Sequence, residues 1–386
     1  MPTTTVLYSM CKNMLDVKSK KRQHPVAKIL FACLGAYIVC VAPCHAQVVN
    51  FESYGIQDGL SHPTIWTIFE DSKGFIWFGT ENGLNKFDGY GFEVFKNDRF
   101  DSLSIGSNTI KDIAEDSNGN LWIATPGSGI NKYDPVSSTF TRYAHESTDT
   151  NSILTNRART LCLGNNNTLW IGTTISGLIS LDIKTGKFDN HTYANNKLNL
   201  NIESLYYSKT GLLWVGTWGG GLFSINGDGE VKNYLNPDNL PDQSSVHAGI
   251  DVIFQIHEDQ DGYLWLATWG SGLLKFDTKD GSYLQYNNQS AGESALSDNI
   301  ITDLTYSNGF VWATTFNGLN RLNVKTGVNK IFYHDKFDPG TISENGNWSV
   351  MANTRGIVWT GPWDRELANT TLTKINSPTP LQYSKI

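Results

Sequence analysis

Past its first 46 residues the sequence is short of three things: cysteine, positive charge and long apolar runs. Cys11, Cys33, Cys40 and Cys44 all fall in those first residues, so Cys162 has no other cysteine to pair with in an internal disulfide. It stands in the alternation Leu161-Cys162-Leu163 and reads as a small core residue. Six of the 30 basic residues and one of the 37 acidic ones also lie before residue 47, which leaves 24 against 36, a net −12. That balance disfavours nucleic acid or anionic lipid as a partner. No apolar run of membrane length follows Gln47, so no membrane span is expected in the mature chain. The histidines are scattered, and His257-Glu258-Asp259 sits at a strand end. No metal-ligand spacing and no cofactor motif emerge, so neither a metal nor a cofactor is expected.

The first 46 residues read as an export signal. Lys18, Lys20, Lys21, Arg22 and Lys28 form a basic region, and residues 29–42 are an apolar run too short for a comfortable span. Cys44 and Ala46 supply small residues at a cleavage site, which places cleavage after Ala46 and the mature protein in the periplasm. An uncleaved anchor is the alternative.

What the chain does have is glycine, 36 residues of it, and 12% aromatics. Both are organised by one stretch, residues 71–88. Asp71-Ser72-Lys73-Gly74 is a turn, residues 75–80 a strand, Glu81-Asn82-Gly83 a second turn and residues 84–87 a second strand. Its Trp77 recurs as Trp122, Trp170, Trp214, Trp265, Trp312 and Trp359, 44 to 51 residues apart by subtraction. Seven units of short strands joined by glycine turns predict an all-β fold, a seven-bladed β-propeller. In the second unit residues 110–115, 121–125, 130–133 and 140–143 give strands a to d. One large flat side chain per blade fills the wedge between sheets, and burying about 200 Å² is worth several kcal/mol. The seven tryptophans therefore need no functional reading. Residues 48–54 look like a strand d without a blade. The last unit breaks pattern at Pro362, so the expectation is a ring closed by that N-terminal strand. The domains are then residues 1–46, a signal peptide, 47–363, the propeller, and 364–386, an irregular tail completing or fraying from the last blade.

At these residues the chain resembles the two-component regulator propeller repeat. The resemblance is carried by Glu-Asp-Ser-Lys-Gly-Phe-Ile-Trp-Phe-Gly-Thr-Glu-Asn-Gly-Leu-Asn-Lys-Phe-Asp-Gly at residues 70–89 and by Asp58-Gly59-Leu60-Ser61 upstream. It covers roughly residues 48–363. It implies a periplasmic sensor of a hybrid histidine kinase or diguanylate cyclase, normally continued by further modules, a membrane helix and an output domain. The sequence has no kinase, receiver or cyclase motif, so the resemblance implies the sensing half alone, as a truncated reading frame or a free-standing propeller.

In such a blade the b–c turns and d–a loops share one face. The d–a loops are long and look irregular, and loops on a rigid scaffold are where binding usually sits. The b–c turns add Trp218, Trp269, Phe316 and Trp363 to that face. Strand a lines the channel. One of its positions is always polar: Thr67, Asp112, Thr160, Ser204, Gln255, Asp303 and Ser349. The position before it varies: Trp66, Lys111, Arg159, Glu203, Phe254, Thr302 and Trp348. The polar ring reads as structural and the varied ring as a specificity candidate. The aromatics suit a flat small-molecule ligand such as an oligosaccharide, or they pack on the adjacent loops. Competing readings are a lyase or glycosidase, which needs a paired acid and base that nothing marks here, and a platform for a signalling partner or a homodimer. No catalytic residue is assigned.

Overall fold

The computed structural model describes residues 50–191, 201–235, 249–363 and 372–376. The proposed signal peptide lies outside them, as do most of the tail and the greater part of the loop between blades 4 and 5. The described chain forms seven four-stranded antiparallel sheets. Strand a of each blade touches strand a of the next, and the seventh touches the first, so the sheets form a ring. The seven channel strands are Ile65–Glu70, Asp112–Glu115, Ala158–Leu163, Ile202–Tyr207, Ile253–Glu258, Ile301–Ser307 and Asn347–Ala352. No α-helix occurs among the described residues.

The repeat stretch folds as its residues dictate. Asp71 turns the chain by accepting the backbone N–H groups of Lys73 and Phe75 at 3.0 and 2.9 Å. Its other oxygen accepts the indole N–H of Trp77 at 2.8 Å. Asp116 holds Trp122 and Asp259 holds Trp265 in the same way, at 3.0 and 2.9 Å. The aspartate thus ties the hairpin turn to the ring that fills the wedge. At the other end of strand b a threonine hydroxyl closes the b–c turn on a glycine carbonyl, from Thr80 to Gly83 through Thr315 to Gly318. Blade 7 has Pro362 there.

Six of the tryptophans are at most 2% exposed. Trp170, in blade 3, is only half-buried. Between blades the backbones come very close. A Cβ on Gly79 would lie 2.6 Å from Thr67 and 2.8 Å from Ile110 of the next blade. The d–a loops are less irregular than their sequences suggest. Ile105, Ile153, Leu296 and Ile342 are buried anchors within them, and an asparagine at the loop end accepts the first backbone N–H, as Asn108 does from Asn97 at 2.7 Å.

Blade 7 is built from both ends of the chain. Its strands Asn347–Ala352 and Ile357–Pro362 are followed by Leu372–Asn376, a regular strand within the expected irregular tail. The outermost strand is Asn50–Tyr54, which pairs antiparallel with Leu372–Asn376. Tyr54 packs edge-on against Phe87 of blade 1 and tilted against Trp359.

Candidate functional site at the channel mouth

The channel strands carry one irregularity at the same place. In six blades the a–b pairing shifts register around residues 66, 159, 203, 254, 302 and 348. These are the members of the varied ring. A bulge leaves its extra residue unpaired and re-aims the side chain, which frees these positions from the packing that fixes the rest of the strand. In blade 2 the equivalent Lys111 lies just ahead of the strand, its N–H on the Ala124 carbonyl.

All ten residues singled out from the sequence meet at this mouth, in two arcs. The aromatic arc runs through blades 4 to 1. Trp218 lies 5.9 Å from Trp269, Trp269 5.8 Å from Phe316, and Phe316 5.1 Å from Trp363. Trp363 lies 4.3 Å from Trp348, and Trp348 5.2 Å from Trp66, all between ring centroids. Phe254 sits inside the arc, 5.0 Å from Trp269. The rings pack mainly on one another. Trp218, 44% exposed, is the one that stands most clear. The charged arc spans blades 2 to 4. Arg159 pairs with Glu203, and the Lys111 ammonium lies 2.9 Å from the centre of the Trp66 ring, where the two arcs meet. Burial, with the Arg159 charge beside it, pulls Lys111 down to about 7. Burial also raises Glu203 against the opposing pull of Arg159. The cavity left between these side chains is about 80 Å³. That holds a few waters and no sugar ring, so a ligand would rest on the mouth.

One layer deeper, the polar ring links blade to blade. Asp112 accepts from the Thr160 hydroxyl and the Leu161 N–H of blade 3, at 2.9 and 2.8 Å. Asp303 accepts from Gln255 of blade 5 at 3.1 Å and from the Val350 N–H of blade 7 at 2.8 Å. The Ser204 and Ser349 hydroxyls each donate to a carbonyl of the next blade, Ile253 and Ile65, at 3.2 Å. Burial lifts Asp112 to about 6 and Asp303 to about 7. Below this belt the channel widens to a cavity of about 500 Å³. Cys162 lines it and also packs against the apolar core between blades 3 and 4. Its thiol, pushed up to about 12 by burial, is not a nucleophile. Among the described residues no three His, Cys, Asp or Glu side chains are placed to hold a metal.

The sequence profile described as two component regulator propeller matches residues 59–82, 104–127 and 249–270. Those three stretches are similar to the repeat of that family. Over 55 residues, 14% of this chain and 4% of the relative, the chain is 46% identical to histidine kinase P4 of Formosa agariphila. Its fold is similar to the extracellular domain of BT3049 of B. thetaiotaomicron, described as a hybrid two component system. That match has 25% identity and a TM-score of 0.71, covering 85% of this chain and 42% of that one. Virginiamycin B lyase of Staphylococcus aureus matches with 12% identity and a TM-score of 0.63, over 85% of this chain and 99% of the lyase. At that identity the lyase shares the fold alone. The chain therefore spans less than half of the first solved structure and a small part of the kinase. Among the described residues no helix is long and apolar enough to cross a membrane.

Proposed function

We propose that this chain is the exported, ligand-sensing propeller of a two-component-type signalling protein, and that a small molecule such as an oligosaccharide docks on its channel mouth. The carrying observation is the two-arc mouth. Bulged, individually variable positions and the b–c turn aromatics converge on one surface, apolar and aromatic on one side and charged on the other. That combination orients a ring-bearing ligand. The repeats shared with extracellular domains of two-component systems support the sensing role and export. The enzyme reading loses support because the carboxyl groups of the two channel rings are already engaged, Asp112 and Asp303 by backbone N–H groups of neighbouring blades and Glu203 by Arg159.

Calorimetric titration of the secreted chain with neutral and acidic oligosaccharides tests this. Trp218→Ala should weaken the bound member about tenfold, the scale of one lost aromatic contact. A panel with no binder, or a Trp218→Ala chain that binds as well as the parent, overturns the mouth as the site. N-terminal sequencing of the secreted chain should begin near Gln47. Intact protein retained in the cytosol would sink the export proposal.

A further inference from the structure

Three departures from the repeat, one in blade 3 and two in blade 4, meet in one groove. Six residues before the blade 3 tryptophan, where blades 1, 2 and 5 have Asp71, Asp116 and Asp259, stands Gly164. A Cβ there would lie 2.7 Å from the Trp170 indole nitrogen and 3.5 Å from the Tyr207 ring. No aspartate can stand at that place while those rings hold their positions. The wedge position that Tyr133 and Phe276 fill against Trp77 and Trp214 is taken in blade 4 by the smaller Ile225. The hairpin that follows it, Asn226-Gly227-Asp228-Gly229, has two glycines and little bulk. The result is a groove of about 270 Å³ between blades 3 and 4, walled by Trp170 and Tyr207 and floored by Leu213 and Ile225.

We propose that this groove is a second binding site, separate from the channel mouth, and that it takes one neutral polyhydroxylated ring, a sugar residue. Three properties of the groove select that chemistry. It has no Asp, Glu, Lys or Arg among its lining residues, and burial disfavours the charged form of its single histidine, His191. Second, it presents polar groups to solvent, the Trp170 indole N–H, the Tyr207 hydroxyl and the side-chain amides of the exposed Asn165 and Asn166. The homologous indoles of blades 1, 2 and 5 are all bonded to aspartate. Hydroxyl groups of a sugar supply both donors and acceptors to such a set, while its C–H faces lie against Trp170, Tyr207 and Ile225. Third, its volume falls just under the roughly 300 Å³ at which small-molecule sites begin, which suits one ring and not a chain of them. A nucleotide would bring phosphate charges that nothing in the groove answers.

Saturation-transfer NMR on the full chain tests the proposal, with the methyl glycosides of glucose, galactose and mannose as probes and glucuronate as the charged counterpart. At least one neutral glycoside should receive saturation that Tyr207→Phe weakens, and any glucuronate saturation should be unmoved by that substitution. Tyr207→Phe and Asn165→Ala, which each remove one hydrogen-bonding group, should weaken that glycoside about fivefold apiece. Trp218→Ala, at the channel mouth, should leave it unchanged. Gly164→Asp, which introduces the carboxylate of blades 1, 2 and 5, should abolish binding while the melting temperature shows the chain still folded. The proposal is overturned if no neutral glycoside binds or if Tyr207→Phe weakens glucuronate as much as the glycoside. It is also overturned if Trp218→Ala removes the signal while Tyr207→Phe and Asn165→Ala do not. That last result would move the sugar to the channel mouth and leave the sensing proposal standing.

Discussion

A single aspartate decides how firmly each tryptophan is held. Asp259, fully buried, accepts the Asp261 and Tyr263 N–H groups and the Trp265 indole. Replacing it with alanine orphans all three donors and should cost about 3 kcal/mol, read as a drop in the urea midpoint. Blade 4 offers the reverse experiment. Ser208 stands at that place, and the buried Trp214 indole N–H has no partner. Ser208→Asp should therefore stabilise by about 1 kcal/mol; a loss would mean that the turn there cannot seat a carboxylate. The channel carboxyl groups predict the response to pH. Their folded values, about 6 for Asp112 and about 7 for Asp303, lie above the roughly 3.9 of an unfolded aspartate. The folded state then holds protons that the unfolded chain releases. This contribution is complete below about pH 4 and lost as pH rises through 6 to 7. Lys111, lowered to about 7, works in the opposite sense above that range. Between pH 5 and 7.5 the melting temperature should fall, and Asp303→Asn should flatten the fall. An equal slope in the variant would remove Asp303 from the account.

Strand b is the element on which the ring's tightness depends. Its glycine lets strand a of the following blade lie directly against the backbone, and at Gly216 an added Cβ would sit 2.7 Å from the Ile253 carbonyl oxygen. Gly216→Ala should cost about 1–3 kcal/mol through overpacking, with Ala124 and Ala267 at the matching positions of blades 2 and 5 showing that some wedges are built wider. Unchanged stability on thermal melting would mean that the blades can slide apart freely. Elements of this kind were legible in the sequence, because Trp77 and its six counterparts repeat together with their turn glycines and period-2 strands. Residues 121–125 of blade 2 fall where alternation placed them. The bulges at Trp66, Arg159 and Glu203 were not legible, since a bulge is a register between two strands and leaves no residue type behind. Strand Leu372–Asn376 was hidden because it lacks the Gly-Leu that opens strand c elsewhere. The buried anchors Ile105 and Ile342 were written in the d–a loops, but a lone apolar residue in a polar loop has no period to reveal it. Gly164 was visible as a departure, yet its meaning needed the Trp170 edge beside it.

At the scale of the whole molecule, the ring holds because blade 7 takes strands from both ends. Asn50 to Tyr54 pair with Asn376 to Leu372, and Lys374 bonds Glu52 at 2.9 Å. Deleting residues 47–55 would expose the edge of Leu372–Asn376 and uncover Trp359, so the entire domain should lose stability and solubility. A deletion chain that melts and stays soluble like the parent would show that the seventh blade stands without the N-terminal strand. The same pairing sets a schedule for folding. The strand made first is used last, across 322 residues from Glu52 to Lys374. Six blades can assemble from local hairpins as they emerge from the ribosome, but the seventh must wait for the far end of the chain. A closure of such high sequence separation pays its loop entropy late and is intrinsically slow. Until it happens, residues 50–54 are an unpaired strand, and the nascent ring is at its most vulnerable to pairing with a second copy of itself.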